Sequence, residues 1–428
     1  MSRLTFYYDK DLPKPTPLKQ EYLVNQVQVL KKIPQNAQKS KEWYEMRNTM
    51  ISASDWATVI GEGHFGTPED ILLKKCGDDK PFRTCPAMDW GNKYEDVAVS
   101  VYEYRNKLTV IDFGCIRHPY VSFLGASPDG ITHDGVMLEI KCPKSRVITG
   151  IPPNYYWCQV QGQLEVCELD RCDFLECNFK EYETEDDYLE DNFENNYELN
   201  KYGNEKGVIA EFYRKSDKAL FFQYSPVNII SDQLDNWKKY MMNDKFKQDN
   251  NVLFSSFYYW HLVEVSCVPI YRNQEWFQNS ALPNLTLFWN KVLHYRELGL
   301  DILKSDIEIM KAEKKKVREE KKQEKISEKL QEKQEKLEKK ESSTSSKKQK
   351  KINDFIDLNN ETSSFPSESV SESVSESVFE TSISYDEDDD YIQVNSLKTS
   401  LFSSSDESNI LTNDTLNKSF KLSLFSND

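Results

Sequence analysis

Histidine and glycine are scarce in this chain, 5 and 14 of 428 residues. The five histidines are scattered without zinc-like spacing, which excludes a histidine-built zinc centre. Nine cysteines occur without one C-x-x-C pair, which excludes zinc ribbons and dithiol redox motifs. No run of about 18 apolar residues is present and the start of the chain does not read as a signal peptide, so a soluble, reduced, intracellular protein is expected. Cys167, Cys172 and Cys177 recur every five residues near an expected strand. Neighbours in that trio would face opposite sides, and no fourth ligand is evident, so buried structural thiols are expected rather than an iron–sulfur cluster.

Positive charge is also lacking, with a net charge of −16. Its distribution is uneven. Residues 352–428 hold 16 acids and 3 bases, residues 301–351 hold 18 bases and 12 acids, and the first 300 residues are left at −9. Tight electrostatic binding to nucleic acid is therefore not expected of the folded part as a whole. Local clefts matter more than net charge for steering.

What the chain does have is GASPDGITHDGVMLEIKCP, residues 125–143. If residues 136–142 form a strand, a side-chain period of two puts Glu139 and Lys141 on one face and Leu138 and Ile140 on the other. Asp134-Gly135 is a strong hairpin-turn dipeptide, and a reversal there brings Asp129 beside Glu139. Two carboxylates and an ammonium then converge. Such a site suits Mg²⁺, with Mn²⁺ as an alternative, because hard cations take oxygen ligands and can share them with substrate phosphates. A metal-bound water beside a lysine is suited to phosphodiester hydrolysis.

Three further motifs accompany this one: WYEMRNTMISASD at residues 43–55, WGNKYED at 90–96 and WCQVQGQLEVC at 157–167. On a helix over residues 91–105, Glu95, Ala98, Val99 and Tyr102 fall at i, i+3, i+4 and i+7, placing Glu95 on an apolar stripe where a carboxylate needs a partner. On the later helix, Gln159 and Gln163 lie together while Val160 and Leu164 point elsewhere.

From residue 43 to 179 the sequence resembles the lambda-exonuclease-like, YqaJ-type viral recombinases of the PD-(D/E)XK nuclease superfamily. The resemblance implies an α/β (α+β), restriction-endonuclease-like mixed β-sheet core flanked by helices. It further implies a Mg²⁺-dependent 5′-to-3′ exonuclease acting on double-stranded DNA ends in viral recombination, replication or repair. Asp129, Glu139 and Glu95 would hold the metal, and Lys141 would activate the water that Gln159 positions. Arg47 would grip the DNA 5′-phosphate. A single-strand annealing protein and further copies of the chain are the partners implied, in host cytoplasm or nucleus. A structure-specific endonuclease, and a non-catalytic interaction protein on a nuclease scaffold, stay open.

Composition divides the rest. Residues 1–40 read as a polar, irregular arm with one short helix, and residues 41–300 as the nuclease domain, with a catalytic core at 43–180 and an aromatic-rich extension at 205–300. Residues 186–204, acidic and rich in Asn and Tyr, read as an insertion loop or exposed helix. In the extension, Tyr258, Tyr259, Trp260 and Trp276 are expected in the core or an interface rather than stacked on bases. Residues 301–340 read as a solvated charged helix with Glu-to-Lys pairs such as Glu332/Lys336, lacking the sustained heptads of a coiled coil. Residues 341–428, with three SESV repeats, read as a disordered tail. Near its start, Gln349, Ile352 and Phe355 resemble a sliding-clamp interaction motif, with Ile356 departing from its aromatic last position.

Overall fold

A computed structural model of the protein describes residues 5–6, 15–36, 40–78, 84–194, 196 and 198–359. The chain divides into two compact units, residues 1–333 and 334–428. The first begins with β1 (Thr5–Phe6), α1 (Pro17–Lys32), α2 (Lys41–Asn48), β2 (Ile51–Ser52), α3 (Ala53–Val59), α4 (Pro68–Lys75) and α5 (Pro86–Asn106). Short strands β3 (Val110–Ile111), β4 (Ile116–Arg117), β5 (Leu124–Ala126) and β6 (Gly130–Thr132) lead to β7 (Val136–Lys141), α6 (Asn154–Cys167) and β8 (Arg171–Glu181). Then come α7 (Glu185–Glu190), β9 (Lys206–Arg214), β10 (Leu220–Tyr224), α8 (Ser231–Met241), α9 (Asp244–Asp249) and β11 (Val252–Tyr271). Last are α10 (Gln274–Trp276), a π-helical turn (Phe277–Ala281), α11 (Leu282–Leu298) and α12 (Leu300–Asn359), whose end is the described part of the second unit.

The main sheet runs β10-β9-β11-β8-β7-β6-β3, with β1 added to β11. It is mixed, because β7 pairs with β8, and β1 with β11, in parallel while its other pairs are antiparallel. β11 is rich in β-branched and aromatic residues, and bulges near Phe254/Ser256 and Leu262/Glu264 let its 20 residues follow both β9 and β8. A small sheet, β2-β5-β4, lies apart from it.

Strict alternation along β7 and β8 gives the sheet two different faces. Met137, Cys172 and Phe174 join α1 and α6 residues in one core cluster, while Leu138, Ile140, Leu175 and Cys177 join Tyr94, Val97, Ala98 and Val101 of α5 in another. The mixed sheet between helices agrees with the fold expected from sequence. The cysteines agree too: Cys167, Cys172 and Cys177 are buried free thiols, with the latter two on opposite faces.

Other expectations are corrected. The N-terminal segment is more than an arm, since α1 buries Leu23, Val27 and Leu30 in the core, and Gln26 donates to the Cys167 carbonyl at 2.9 Å. Thr16 caps this helix and Pro17 opens it, a strong start signal in otherwise polar sequence. The acidic stretch after β8 is as expected, a short and mostly exposed α7 with a Thr184–Asp187 capping box, which buries only Tyr188 and is followed by irregular chain. Tyr259 and Trp260 are core, as expected, at 9% and 1% exposed. The charged helix α12 runs on to Asn359, past residue 340, because residues 341–359 contain no Pro or Gly to stop it. Gln349, Ile352 and Phe355 fall on α12; their side chains, and residues 360–428, lie outside the described residues.

Candidate active site

The hairpin from β6 to β7 assembles the acids. Gly135, at φ +87°, supplies the left-handed turn position, and its amide donates to the Thr132 carbonyl at 3.1 Å. The antiparallel register pairs Gly130 with Leu138, so Asp129 comes level with β7, where its Oδ2 accepts from the Ile140 amide at 2.7 Å. Glu139 is fully buried. Lys141 donates to its Oε1, Gln159 to the same oxygen at 2.7 Å, and Gln163 to Oε2 at 2.6 Å. Three donors from two elements, β7 and α6, thus meet at one carboxylate.

Charge in this cluster is unbalanced. Burial, then the nearby Glu139 and Glu95 carboxylates, push the Asp129 carboxyl well above its ordinary value. Burial alone would lower Lys141, but Glu139 and Asp129 outweigh it and hold the ammonium above the usual lysine range. Its Nζ also sits 4.8 Å from the Tyr156 ring centroid. Glu95 is placed differently from its expected stripe. The buried face of α5 is Tyr94, Val97, Ala98, Val101 and Tyr102, and Glu95 is half-buried at its edge, one residue and about 100° round from Tyr94. Its field nevertheless reaches Asp129.

A polar cavity of about 160 Å³ opens beside the acids, lined by Asp129, Gln159 and Gln163 on one side and by Trp43, Arg47, Ser52 and Ser54 on the other. Arg47 Nη2 donates to Ser52 Oγ at 2.7 Å and Ser54 Oγ at 3.0 Å, and its guanidinium stacks 4.5 Å from the Trp43 ring. Ser52 donates to Asp55 Oδ2 at 2.8 Å. Burial would raise the Asp55 carboxyl, but Lys75 and Arg47 outweigh it and hold it low. Lys75 is 3% exposed, lies 3.7 Å from Asp55 and donates to the Arg47 carbonyl at 2.7 Å; burial pulls it down to about 8. Arg296 of α11 in turn donates to the Lys75 carbonyl at 2.9 and 2.8 Å and to the Asn48 carbonyl at 2.6 Å.

The two walls meet because α3 crosses α6 at Gly162. A β-carbon there would lie 2.9 Å from Ala53 Cβ and 2.9 Å from Trp56 Cδ2. Only glycine lets Ser52 and Ser54 approach Gln159 and Gln163 this closely. Sequence reasoning did not find Ser52, Ser54, Lys75 or Arg296. The serines lie inside the quoted I-S-A-S-D segment and were the detectable pair; the buried cations carry no local signal.

The donor set fits a hard divalent cation. Asp129 and Glu139, with Glu95 in electrostatic reach, offer carboxylate oxygens with more negative charge than Lys141 balances. Among the described residues, no three His, Cys, Asp or Glu side chains are already drawn together as a metal-holding group.

Residues 42–170 match the model of the YqaJ-like viral recombinase domain. The chain carries a YqaJ-like viral recombinase domain. An uncharacterised protein of Acanthamoeba polyphaga mimivirus is 34% identical over 319 residues, which is 67% of this chain and 58% of that protein. A protein of African swine fever virus, Badajoz strain, is 29% identical over 167 residues, 32% of this chain and 48% of that one. The chain thus spans about half the length of the curated relatives it matches. Among solved structures, an alkaline exonuclease from Laribacter hongkongensis is similar at TM-score 0.36 and 18% identity, over 63% of this chain and all of that one. Its complex with dAMP gives TM-score 0.37 and 18% identity, over 60% and 95%. The YqaJ-like domain contains every acid, amide and base of the site except Arg296, which α11 supplies from outside the matched segment. Among the described residues, no helix is long and apolar enough to cross a membrane.

Proposed function

We propose that the protein is a metal-dependent deoxyribonuclease that trims duplex DNA ends from the 5′ side, exposing 3′ single strands. The observation that carries this is the meeting of Asp129, Glu139, Lys141, Gln159 and Gln163 in one cluster, of which Asp129, Gln159 and Gln163 line one wall of a cavity whose other wall presents Arg47. Asp129 and Glu139 would hold Mg²⁺ or Mn²⁺, with Glu95 adding to the local field. The bound cation supplies a water of lowered pKa and neutralises charge on the phosphate. Lys141 orients the attacking water and offsets the charge that develops on the phosphate oxygens. Gln159 and Gln163 fix the Glu139 carboxylate, so that its oxygens need no reorganisation when the substrate arrives. Arg47, stacked on Trp43 and set by two serine hydroxyls, offers a planar fork to a terminal 5′-phosphate.

The test is time-resolved digestion of a 5′-phosphorylated linear duplex, a 5′-hydroxyl duplex and covalently closed circular DNA, in Mg²⁺ and in EDTA. Progressive loss of the phosphorylated strand in Mg²⁺ alone, abolished by Asp129→Ala or Lys141→Ala, is expected. Cleavage of the closed circle would instead favour the endonuclease. The segment with Gln349, Ile352 and Phe355 adds a tether to a sliding clamp, raising local enzyme concentration on replicating DNA. A peptide of this segment should bind a clamp, and Ile352→Ala with Phe355→Ala should abolish binding.

A further inference from the structure

Beside the catalytic lysine the surface carries a run of aromatic rings that the roles above leave unused. Tyr156 stands 4.8 Å from Lys141 Nζ and 5.9 Å from the Arg146 guanidinium. Its ring is 4.3 Å from that of Tyr155; Tyr155 stacks on His64 at 5.3 Å and 16°, and meets Phe65 edge-on at 5.8 Å. Phe65 is 69% exposed. A large apolar side chain kept in water among other rings, rather than folded under them, marks a contact surface. The loop that bears it is fastened at two points: Thr58 Oγ1 donates to the Phe65 carbonyl at 3.2 Å, and Asn154 of α6 donates to the Glu62 carboxylate.

The placement says what such a ledge would meet. Tyr155 and Tyr156 lie four and three residues before Gln159, on the same side of α6, so the ledge continues the helix face that carries Gln159 to the Arg47 cavity. Its inner end lies against two cations, Lys141 and Arg146, each held by a buried carboxylate, Glu139 and Glu176 respectively, and its outer end has open ring faces and edges. Rings beside cations, in line with a phosphodiester site, are the arrangement that holds a single strand by its backbone and stacks its bases without choosing among them. Bases paired within a duplex are stacked on both sides and a terminal pair leaves only one face open, so unpaired nucleotides are the occupant that suits a run of several rings.

We propose that His64, Phe65 and Tyr155 form a base-stacking ledge that receives unpaired nucleotides of the strand being processed, next to the site at Glu139 and Lys141. This rests on the nuclease assignment for its choice of substrate, but its test does not need hydrolysis. The full-length protein in EDTA would be titrated, by fluorescence anisotropy, with a 5′-phosphorylated duplex bearing a short unpaired 5′ end, and with the same duplex made abasic at the unpaired positions. The wild type should bind the base-bearing end about tenfold more tightly, the scale of one base–ring stack. Phe65→Ala with Tyr155→Ala should bind both DNAs with the wild type's affinity for the abasic one, while Phe65→Trp keeps the preference. Equal wild-type affinity for the two DNAs would overturn the ledge, as would equal loss on both DNAs in the double variant. A base preference without Mg²⁺-dependent hydrolysis would sink the nuclease assignment and leave the ledge standing; hydrolysis without the preference would do the reverse.

Discussion

Replacing Gly162 by alanine should damage the site without touching any group that acts in it. The added β-carbon would stand 2.9 Å from Ala53 Cβ and 2.9 and 3.0 Å from two atoms of Trp56, all inside van der Waals contact. Relief requires α3 and α6 to separate by about 0.5–1 Å. Trp56 cannot simply turn away, being fully buried and stacked on Phe277 at 5.7 Å. Overpacking of this kind costs about 1–3 kcal/mol of stability. The separation also moves Ser52 and Ser54, which flank Ala53 and set Arg47, away from Gln159 and Gln163, which set Glu139. Misplacement on the order of 1 Å costs up to about 10²-fold in rate, so a ten- to hundredfold loss in turnover of a 5′-phosphorylated duplex is expected. Preference for 5′-phosphate over 5′-hydroxyl ends should fall with it, since the phosphate grip and the acids would no longer be in register. Chemical denaturation and the two digestion rates measure both. Adding Ala53→Gly, which removes one of the opposing atoms, should restore part of each loss. Unchanged stability together with an unchanged end preference in Gly162→Ala would refute the idea that this crossing sets the site.

Arg296→Ala should lower the 5′-phosphate preference and cost about 1.5–3 kcal/mol by stranding the Lys75 and Asn48 carbonyls, with Arg296→Lys recovering part; an unaltered preference would separate α11 from the cavity. Asp129→Asn should abolish hydrolysis yet raise stability in EDTA at neutral pH by on the order of 1 kcal/mol, because one of the crowded carboxylates is removed; denaturation midpoints of the two proteins decide it. Burial, then Arg272, pulls His118 down to about 4, below its ordinary 6.5, so the unfolded chain binds the proton first. Stability from this group is complete above about 6.5 and lost as pH falls towards 4, on the order of 3 kcal/mol. His118→Asn keeps an acceptor for the Tyr120 and Val121 amides and should flatten that acid limb in a pH series of melts.

What could be foreseen from sequence was whatever a short period encodes. Glu139 and Lys141 break the apolar run of β7 at alternate positions, and Gln159 and Gln163 share a helix face at i and i+4, so local geometry alone placed them. The same reasoning overstated Glu95, because choosing it as the origin of the stripe rotated the face by one residue from Tyr94. Contacts to backbone carbonyls leave no residue pattern at all. Lys75 on the Arg47 carbonyl spans 28 positions and Arg296 on the Lys75 carbonyl spans 221, and nothing near Arg296 distinguishes it from a surface arginine on an amphipathic helix. These invisible bonds have a consequence for where the working unit ends. The segment that matches the family model stops at residue 170, one residue before β8, the parallel neighbour on which β7 holds its register. β8 is held on its other edge by β11, and Arg47's support runs through Lys75 to α11. The side chains proposed to act and the framework that aims them are therefore encoded in different stretches of the chain. A fragment ending at 170 would keep every acid of the site and lose the strand and the arginine that hold them in place.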